Sequence, residues 1–214
     1  DGTTLSLLDS TANANNGTYG GFGRGVNEAF EPGAGFTEIH DIGAALPVRS
    51  MQAQWRNDND TTVNAFNGTT FGGIGVEVVS AGGAITQNSL TGSASGSDLS
   101  SYTTASIAPT GNRLVLAAVT NSKGTTPDTP PLSGGGMTTW TQVATVLYST
   151  AATPTRRLTL FRSLQATPGA GATVTIDFAG AIQTACDWSI VEFANVNTGG
   201  TNGASAIAQA VTNS

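Results

Sequence analysis

The chain has 214 residues, a net charge of −6, only 10% charged residues, 38% hydrophobic and 7% aromatic residues, and 28 glycines. An average soluble protein is roughly 25% charged, and helices fill their faces with Leu, Glu, Lys and Arg, so this composition excludes a helix bundle and suits short strands joined by Gly, Asn, Ser and Thr turns. Lys123 is the sole lysine and the arginines are scattered, which argues against nucleic-acid binding through clustered phosphate contacts, and no run reaches the roughly 18 apolar residues of a membrane-spanning helix.

From the N-terminus, Thr4-Leu-Ser-Leu-Leu reads as a strand. The chain opens at Asp1 without a Met-initiated leader, the expectation for a processed or trimmed product. Gly20-Gly-Phe-Gly-Arg-Gly fits neither the dinucleotide-binding nor the P-loop pattern. It reads as a long loop, in which Tyr19, Phe22 and Arg24 are the residue types enriched at interfaces and so are candidate loop contacts. Asn27-Glu-Ala-Phe-Glu before Pro32 allows a short helical turn.

Phe36-Thr-Glu-Ile-His-Asp-Ile-Gly contains His-Asp-Ile-Gly, which resembles the signature of metal-dependent phosphohydrolases of the HD type. Such a site needs several more histidines, and His40 is the only one in the chain. His40 and Asp41 therefore read as ordinary strand residues. No Gly-x-Ser-x-Gly elbow accompanies His40, and the fourteen acidic residues are dispersed rather than paired as in a glycosidase. The expectation is a chain that is not an enzyme and uses no metal and no cofactor.

Gln54-Trp-Arg and Thr61-Thr-Val-Asn-Ala-Phe read as strands around Asn57-Asp-Asn-Asp-Thr-Thr. That turn has the alternating oxygens of a calcium loop but lacks its Gly and Glu continuation, so a polar hairpin is expected. Val76-Glu-Val-Val closes this part of the chain. Seven strands follow, near Ala84-Ile-Thr-Gln and at 101–107, 114–120, 139–148, 156–162, 173–178 and 188–193, bounded by Pro- and Gly-rich turns. Cys186 alternates with Trp188 and Ile190 and reads as a small buried hydrophobe, and as a lone cysteine it can form no intrachain disulfide. The sequons at Asn16, Asn59 and Asn67 arise easily in a Thr- and Asn-rich chain. Trp55, Trp140 and Trp188 could form a sugar-stacking platform, but core packing is the favoured reading.

The chain also resembles itself. Gly35-Phe-Thr-Glu-Ile matches Thr139-Trp-Thr-Gln-Val at an offset of 104, and Gln54-Trp-Arg matches Leu160-Phe-Arg at 106. Val63 matches Val174 at 111, Glu77 matches Glu192 at 115, and Leu5 matches Leu114 at 109. Five matches in one order predict two tandem copies, 1–80 and 81–200. Arg56 and Arg162 recur as well, so a repeated Arg–Glu pair or hydrogen-bonded Glu is expected. On this alignment His40 falls on Ala144, which again speaks against a metal.

The first copy lacks the equivalent of 84–107, while the tail 201–214 carries Ala206-Ile-Ala-Gln, similar to Ala84-Ile-Thr-Gln at an offset of 122. A module missing an edge strand leaves backbone donors and acceptors unpaired. The tail, with Ala206, Ile207, Gln209 and Val211 as its candidate assembly residues, could complete the first copy of its own chain. It could instead complete a neighbour's, or the chain could be cut from a longer array.

The order of a Leu-x-Leu strand, a long Gly/Pro loop, Trp-Thr-Gln-Val, Arg-x-x-Leu-Phe-Arg, Thr-Val-Thr-Ile-x-Phe and Ile-Val-Glu-Phe resembles tandem Ig-like or jelly-roll β-sandwich modules of bacteriophage virion and bacterial surface proteins. The resemblance spans about residues 4–196. It implies an all-β fold of two antiparallel sandwiches and a structural role: capsid decoration, tail or fibre component, or filament subunit. It further implies a virion-surface or extracellular location, with copies of itself or another particle protein as partner. The rival reading is a secreted carbohydrate-binding or adhesion module that binds glycans.

Overall fold

A computed structural model describes residues 2–7, 14–58, 61–66, 71–149 and 155–214. Its strands are β1 (Gly2–Ser6), β2 (Gly17–Arg24), β3 (Glu31–Pro32), β4 (Thr37–Ala45), β5 (Val48–Arg56), β6 (Thr62–Phe66), β7 (Phe71–Val78), β8 (Thr86–Ser95), β9 (Ser101–Ile107), β10 (Leu114–Ser122), β11 (Leu132–Gly134), β12 (Thr141–Tyr148), β13 (Arg156–Ser163), β14 (Ala172–Asp177), β15 (Ala185–Ala194) and β16 (Ile207–Asn213). A short 3-10 turn at Thr201–Ala206 precedes β16. The protein is all-β, as its composition requires.

Among the described residues four antiparallel sheets form, ordered β1-β6-β3, β16-β7-β2-β5-β4, β12-β13-β10-β15-β8 and β11-β14-β9. If β8 to β15 are counted as strands one to eight of a half, its larger sheet reads 5-6-3-8-1 and its smaller one 4-7-2. The other half reads identically when β16 is counted as its strand one and β1 to β7 as two to eight. This interleaving is that of a double-sheet jelly roll, with the fifth strand moved to the edge of the larger sheet beside its hairpin partner. The halves also share an irregularity. The register of β4 on β5 shifts between Glu38 and His40, and that of β12 on β13 between Gln142 and Ala144, so Ile39 and Val143 are the extra residues of matching bulges.

The two five-stranded sheets pack against each other, and each small sheet covers one outer face. Between the large sheets lie Tyr19, Met51, Trp55, Ile74, Val76, Leu114, Leu116, Leu158, Leu160, Val191 and Phe193. Leu5, Phe22, Phe30, Phe36 and Val63 fill the sandwich of the first half, and Tyr102, Val115, Val119, Phe161, Val174, Ile176 and Trp188 that of the second. A strand covered on both faces loses the in–out alternation of a half-exposed one. This is why β2 and β10 are buried at every position.

That double burial overturns the loop expected at 20–25. The glycines of β2 leave room for large side chains from neighbouring and facing strands, one of the uses of glycine inside a sheet. A Cβ on Gly17 would lie 1.7 Å from the Trp55 ring, and one on Gly23 would lie 2.3 Å from the Tyr148 hydroxyl. The expected helical turn at 27–31 is absent too. The Arg24 guanidinium donates to the carbonyls of Glu28 and Ala29 (2.6 and 2.9 Å), and the Phe30 N–H donates to Asp41 Oδ2 (3.0 Å), which ties the segment down ahead of β3.

Two of the sequence matches are misplaced. β1 pairs with β6 as β9 pairs with β14, so Leu5 corresponds to a residue of β9 rather than to Leu114 of β10. The counterpart of β10 is β2, and the first half lacks only one strand of its own, the equivalent of β8. Trp55 and Phe161 are one residue out of step: Trp55 faces the central core and Phe161 the outer core of its half. A one-residue slip exchanges the two faces of a strand.

Candidate assembly interface

The missing strand of the first half is supplied by β16, which runs antiparallel to β7 with Ile207 opposite Val78 and Asn213 opposite Gly73. The register shifts between Ile207 and Gln209, so Ala208 is extra and the strand changes face there. Ile207 therefore packs on the central core and Val211 on the core of the first half, while Ala206 is fully buried just before the strand. Gln209 donates its amide to Glu77 Oε2 at 2.8 Å. The four residues singled out in the tail thus meet the first half of their own chain.

Glu77 and Glu192 are each 2% exposed and occupy matching positions on β7 and β15. Each accepts from an amide on the strand that completes its sheet: Gln209 for Glu77, and Asn88 of β8 for Glu192 at 3.3 Å. Each also accepts from the residue just ahead of its neighbouring strand. Asn16 Nδ2 donates to Glu77 at 2.7 Å, and Arg113 forms a 2.8 Å ion pair with Glu192. The recurring glutamates were legible in the sequence, but their partners were not. Arg56 pairs with Asp58, and Arg162 donates to the Asn202 carbonyl, so neither of the recurring arginines is the expected partner. Replacing Gln209 by Ala removes a donor from a buried carboxylate and should cost about 1.5–3 kcal/mol. Hydrogen exchange should show this as faster exchange, most strongly along β16 and β7 and less along β8 and β15.

The halves exchange strands. β8 follows β7 yet completes the second half, while β16 follows β15 yet completes the first. The two connections pass each other antiparallel at a Ser80–Val196 bridge, with hydrogen bonds from Ala81 N–H to the Asn195 carbonyl and from Asn197 N–H to the Val79 carbonyl, both 2.8 Å. Side chains also join the halves. Phe193 sits 4.7 Å from the Trp55 ring and edge-on to Tyr19 at 6.1 Å. Arg49 of β5 makes a buried ion pair with Asp187 of β15 at 2.8 Å, and Thr120 donates to the same carboxylate at 3.1 Å. Burial pushes the Asp187 carboxyl upward, and Arg49 opposes the shift.

The His-Asp-Ile-Gly stretch lies at this seam. His40 of β4 places Nδ1 2.7 Å from Ser189 Oγ and Nε2 2.8 Å from Ser89 Oγ, across on the second half. Both ring nitrogens are engaged by hydroxyls, and among the described residues no group of three or more His, Cys, Asp and Glu side chains comes together. Burial lowers the His40 pKa, with Glu38 pulling it partly back. The folded state thus binds this proton less well than the unfolded chain, so its contribution is intact above the ordinary histidine value of about 6.5 and is lost as pH falls below it. Asp41 and Asp187, both shifted upward, act in the opposite sense. The comparison to make is therefore wild type against His40→Gln. Between about pH 7.5 and 5.5, the wild-type urea midpoint should fall relative to that of the variant.

The structure redraws other candidates. Tyr19, Phe22 and Arg24 belong to β2 and are 0%, 0% and 1% exposed, so they serve the interior rather than a contact loop. Arg24 stacks over the Phe30 ring at 4.5 Å. Trp55 and Trp188 are core residues, and Trp140 is half-buried with its indole N–H on the Gly134 carbonyl, so no sugar platform forms from the three. Asn16 is buried with its side chain bonded at both ends, to Glu77 and the Ser80 N–H, which closes that sequon. The sequons at Asn59 and Asn67, and Asn59–Asp60 of the polar hairpin, lie outside the described residues. Cys186 is buried in the second half's core, and burial raises its thiol pKa well above the ordinary value. No helix among the described residues is long and apolar enough to cross a membrane.

The sequence matches no protein-family model and no curated protein, and the fold matches no solved structure.

Proposed function

We propose that this chain is a non-enzymatic structural subunit of a virion or an extracellular appendage: a capsid decoration, a tail or fibre component, or a filament subunit. It acts through contacts with copies of itself or with another protein of the particle. We further read its halves as two copies of one jelly-roll unit, a reading supported by their identical strand order and matching bulges. The observation that carries the proposal is the reciprocal strand donation by β8 and β16. The fold closes by adding a strand from one unit to the sheet of another, the same chemistry that joins subunits by strand addition. The surface suits it as well. Exposed aliphatic side chains are contributed by both halves: Leu46 at 83% and Val48 at 44% from the β4–β5 hairpin, Leu99 at 43% and Ile182 at 59% from loops of the second half. The hairpin tip and one of these loops meet where the Leu46 carbonyl lies against Gly96.

Analytical ultracentrifugation over rising concentration, with electron microscopy of the same samples, tests the proposal. Association that is weakened in a Leu46→Glu/Ile182→Glu variant supports it. A chain that stays monomeric throughout and instead binds a glycan on an array would replace it with the carbohydrate-binding reading.

A further inference from the structure

We propose that the β7 edge accepts β16 from a second copy of this chain, so that copies join by exchanging this strand; the idea rests on the assembly reading above and names its partner and mode.

Three observations lead there. First, donation between units is already how the molecule is built. β8 leaves the half that contains β7 and completes the sheet of the other, nine residues of β15 finding partners on it. Second, the two acceptor edges are alike. Each offers a backbone ladder and one buried glutamate that takes an amide from the arriving strand: Glu77 from Gln209, Glu192 from Asn88. Nothing in those contacts distinguishes a strand of the same molecule from the identical strand of another, which is why exchange of an element between copies is a low-cost route to oligomers. Third, β16 is an edge strand of its sheet with no fully buried position. Ile207, Gln209 and Val211 are half-buried and the other four positions of the strand are exposed. The segment that delivers it contains Gly200 (φ 73°), Asn202 (φ 52°) and Gly203 (φ 72°), a run able to redirect the chain.

The cost of opening is also visible. Asn202 accepts from the Leu164 N–H at 2.9 Å and donates to Thr141 Oγ1 at 3.0 Å, and Gly203 packs on Leu164, so the connection is seated on the second half. Exchange must therefore break these contacts before β16 can leave, which makes it slow and its product long-lived.

The test uses the full chain. It is concentrated to on the order of 1 mM, the effective concentration that a short tether gives its own strand, incubated, diluted about a thousandfold to restore the strand's advantage of tethering, and examined at once by size exclusion with light scattering. Dimers or longer species that survive dilution and decay slowly to monomer are expected. A second protein, Thr4→Cys/Asn213→Cys, locks the strand: both positions are exposed, and the Asn213 amide reaches the Thr4 carbonyl at 3.5 Å. Oxidised before concentration, it should give at least a tenfold smaller persistent fraction, restored by reductant. Absence of persistent species from the unmodified chain overturns the exchange, whether or not the lock forms. So does an equal yield from the oxidised, internally linked variant. Association that vanishes on dilution and is the same in both proteins removes the exchange while leaving the assembly reading standing.

Discussion

Replacing Arg49 by Met should lower the unfolding free energy by about 3–5 kcal/mol, the range for breaking a buried ion pair on one side. Arg49 and Asp187 are 4% and 0% exposed, so the remaining carboxylate cannot recover water. Among the described residues only Thr120 would still donate to it. The sign of the pH dependence follows. Burial already raises the Asp187 pKa, and removing Arg49 takes away the opposing cause. A carboxyl whose folded pKa is raised binds its proton more tightly in the native state, so its contribution is most favourable at acid pH and is lost as pH rises through the folded value. The deficit of Arg49→Met should therefore shrink between about pH 7 and pH 5, a window just above the ordinary carboxylate range. Replacing both partners, as Arg49→Met/Asp187→Leu, should recover most of the loss, because a buried pair exchanged for apolar side chains of similar volume is often neutral. Urea unfolding of the three proteins at both pH values decides the matter. A double variant no better than the single one would show that the pair supplies more than its mutual neutralisation.

The second large effect is expected at Phe193. Its ring belongs to the second half but lies against Trp55 and Tyr19 of the first, and it is 0% exposed. Phe193→Ala should cost about 3–5 kcal/mol, the usual range for emptying a fully packed aromatic site. The form of the transition matters as much as its midpoint. The central core is shared by both large sheets, and each sheet contains a strand delivered by the other half, so the halves should unfold together. Near- and far-ultraviolet circular dichroism should report one coincident transition in wild type and variant, shifted to lower urea in the latter. Two separated transitions, with only one moved by Phe193→Ala, would mean that the halves are thermodynamically independent and that the shared core couples them little.

These effects arise at contacts the sequence did not display. Arg49 and Asp187 are 138 residues apart and on different sheets, and nothing about either residue type announces the other. Glu77 and Glu192 were visible as a recurrence, whereas Asn16 stood out only as a sequon ahead of the stretch read as loop, and Arg113 at the start of a strand aligned to the wrong partner. The misalignment traces to β2. Gly17-Thr-Tyr-Gly-Gly-Phe-Gly-Arg has turn-like composition, and only the rings of Trp55 and Tyr148, arriving from elsewhere in the chain, make its glycines favourable in a central strand. Once β2 was read as a loop, the Leu-x-Leu of β1 became the nearest match for Leu114-Val-Leu, and the first half seemed to lack two strands instead of one.

By itself the sequence determined the class of fold and most of the second half. Strands β9, β10, β12, β13, β14 and β15 fall within a few residues of where alternation and turn residues put them, because those signals are local. It also led to reading His40 as an ordinary strand residue, since the chain has no second histidine for an HD-type site. Only the tertiary structure decided which sheets stack, that β8 and β16 cross between halves, and that Tyr19, Phe22 and Arg24 face inward. Strand pairing is carried by backbone groups common to all residues, and a doubly covered strand keeps no polar face to mark its place. Where each strand goes is therefore decided by the surfaces that close over it.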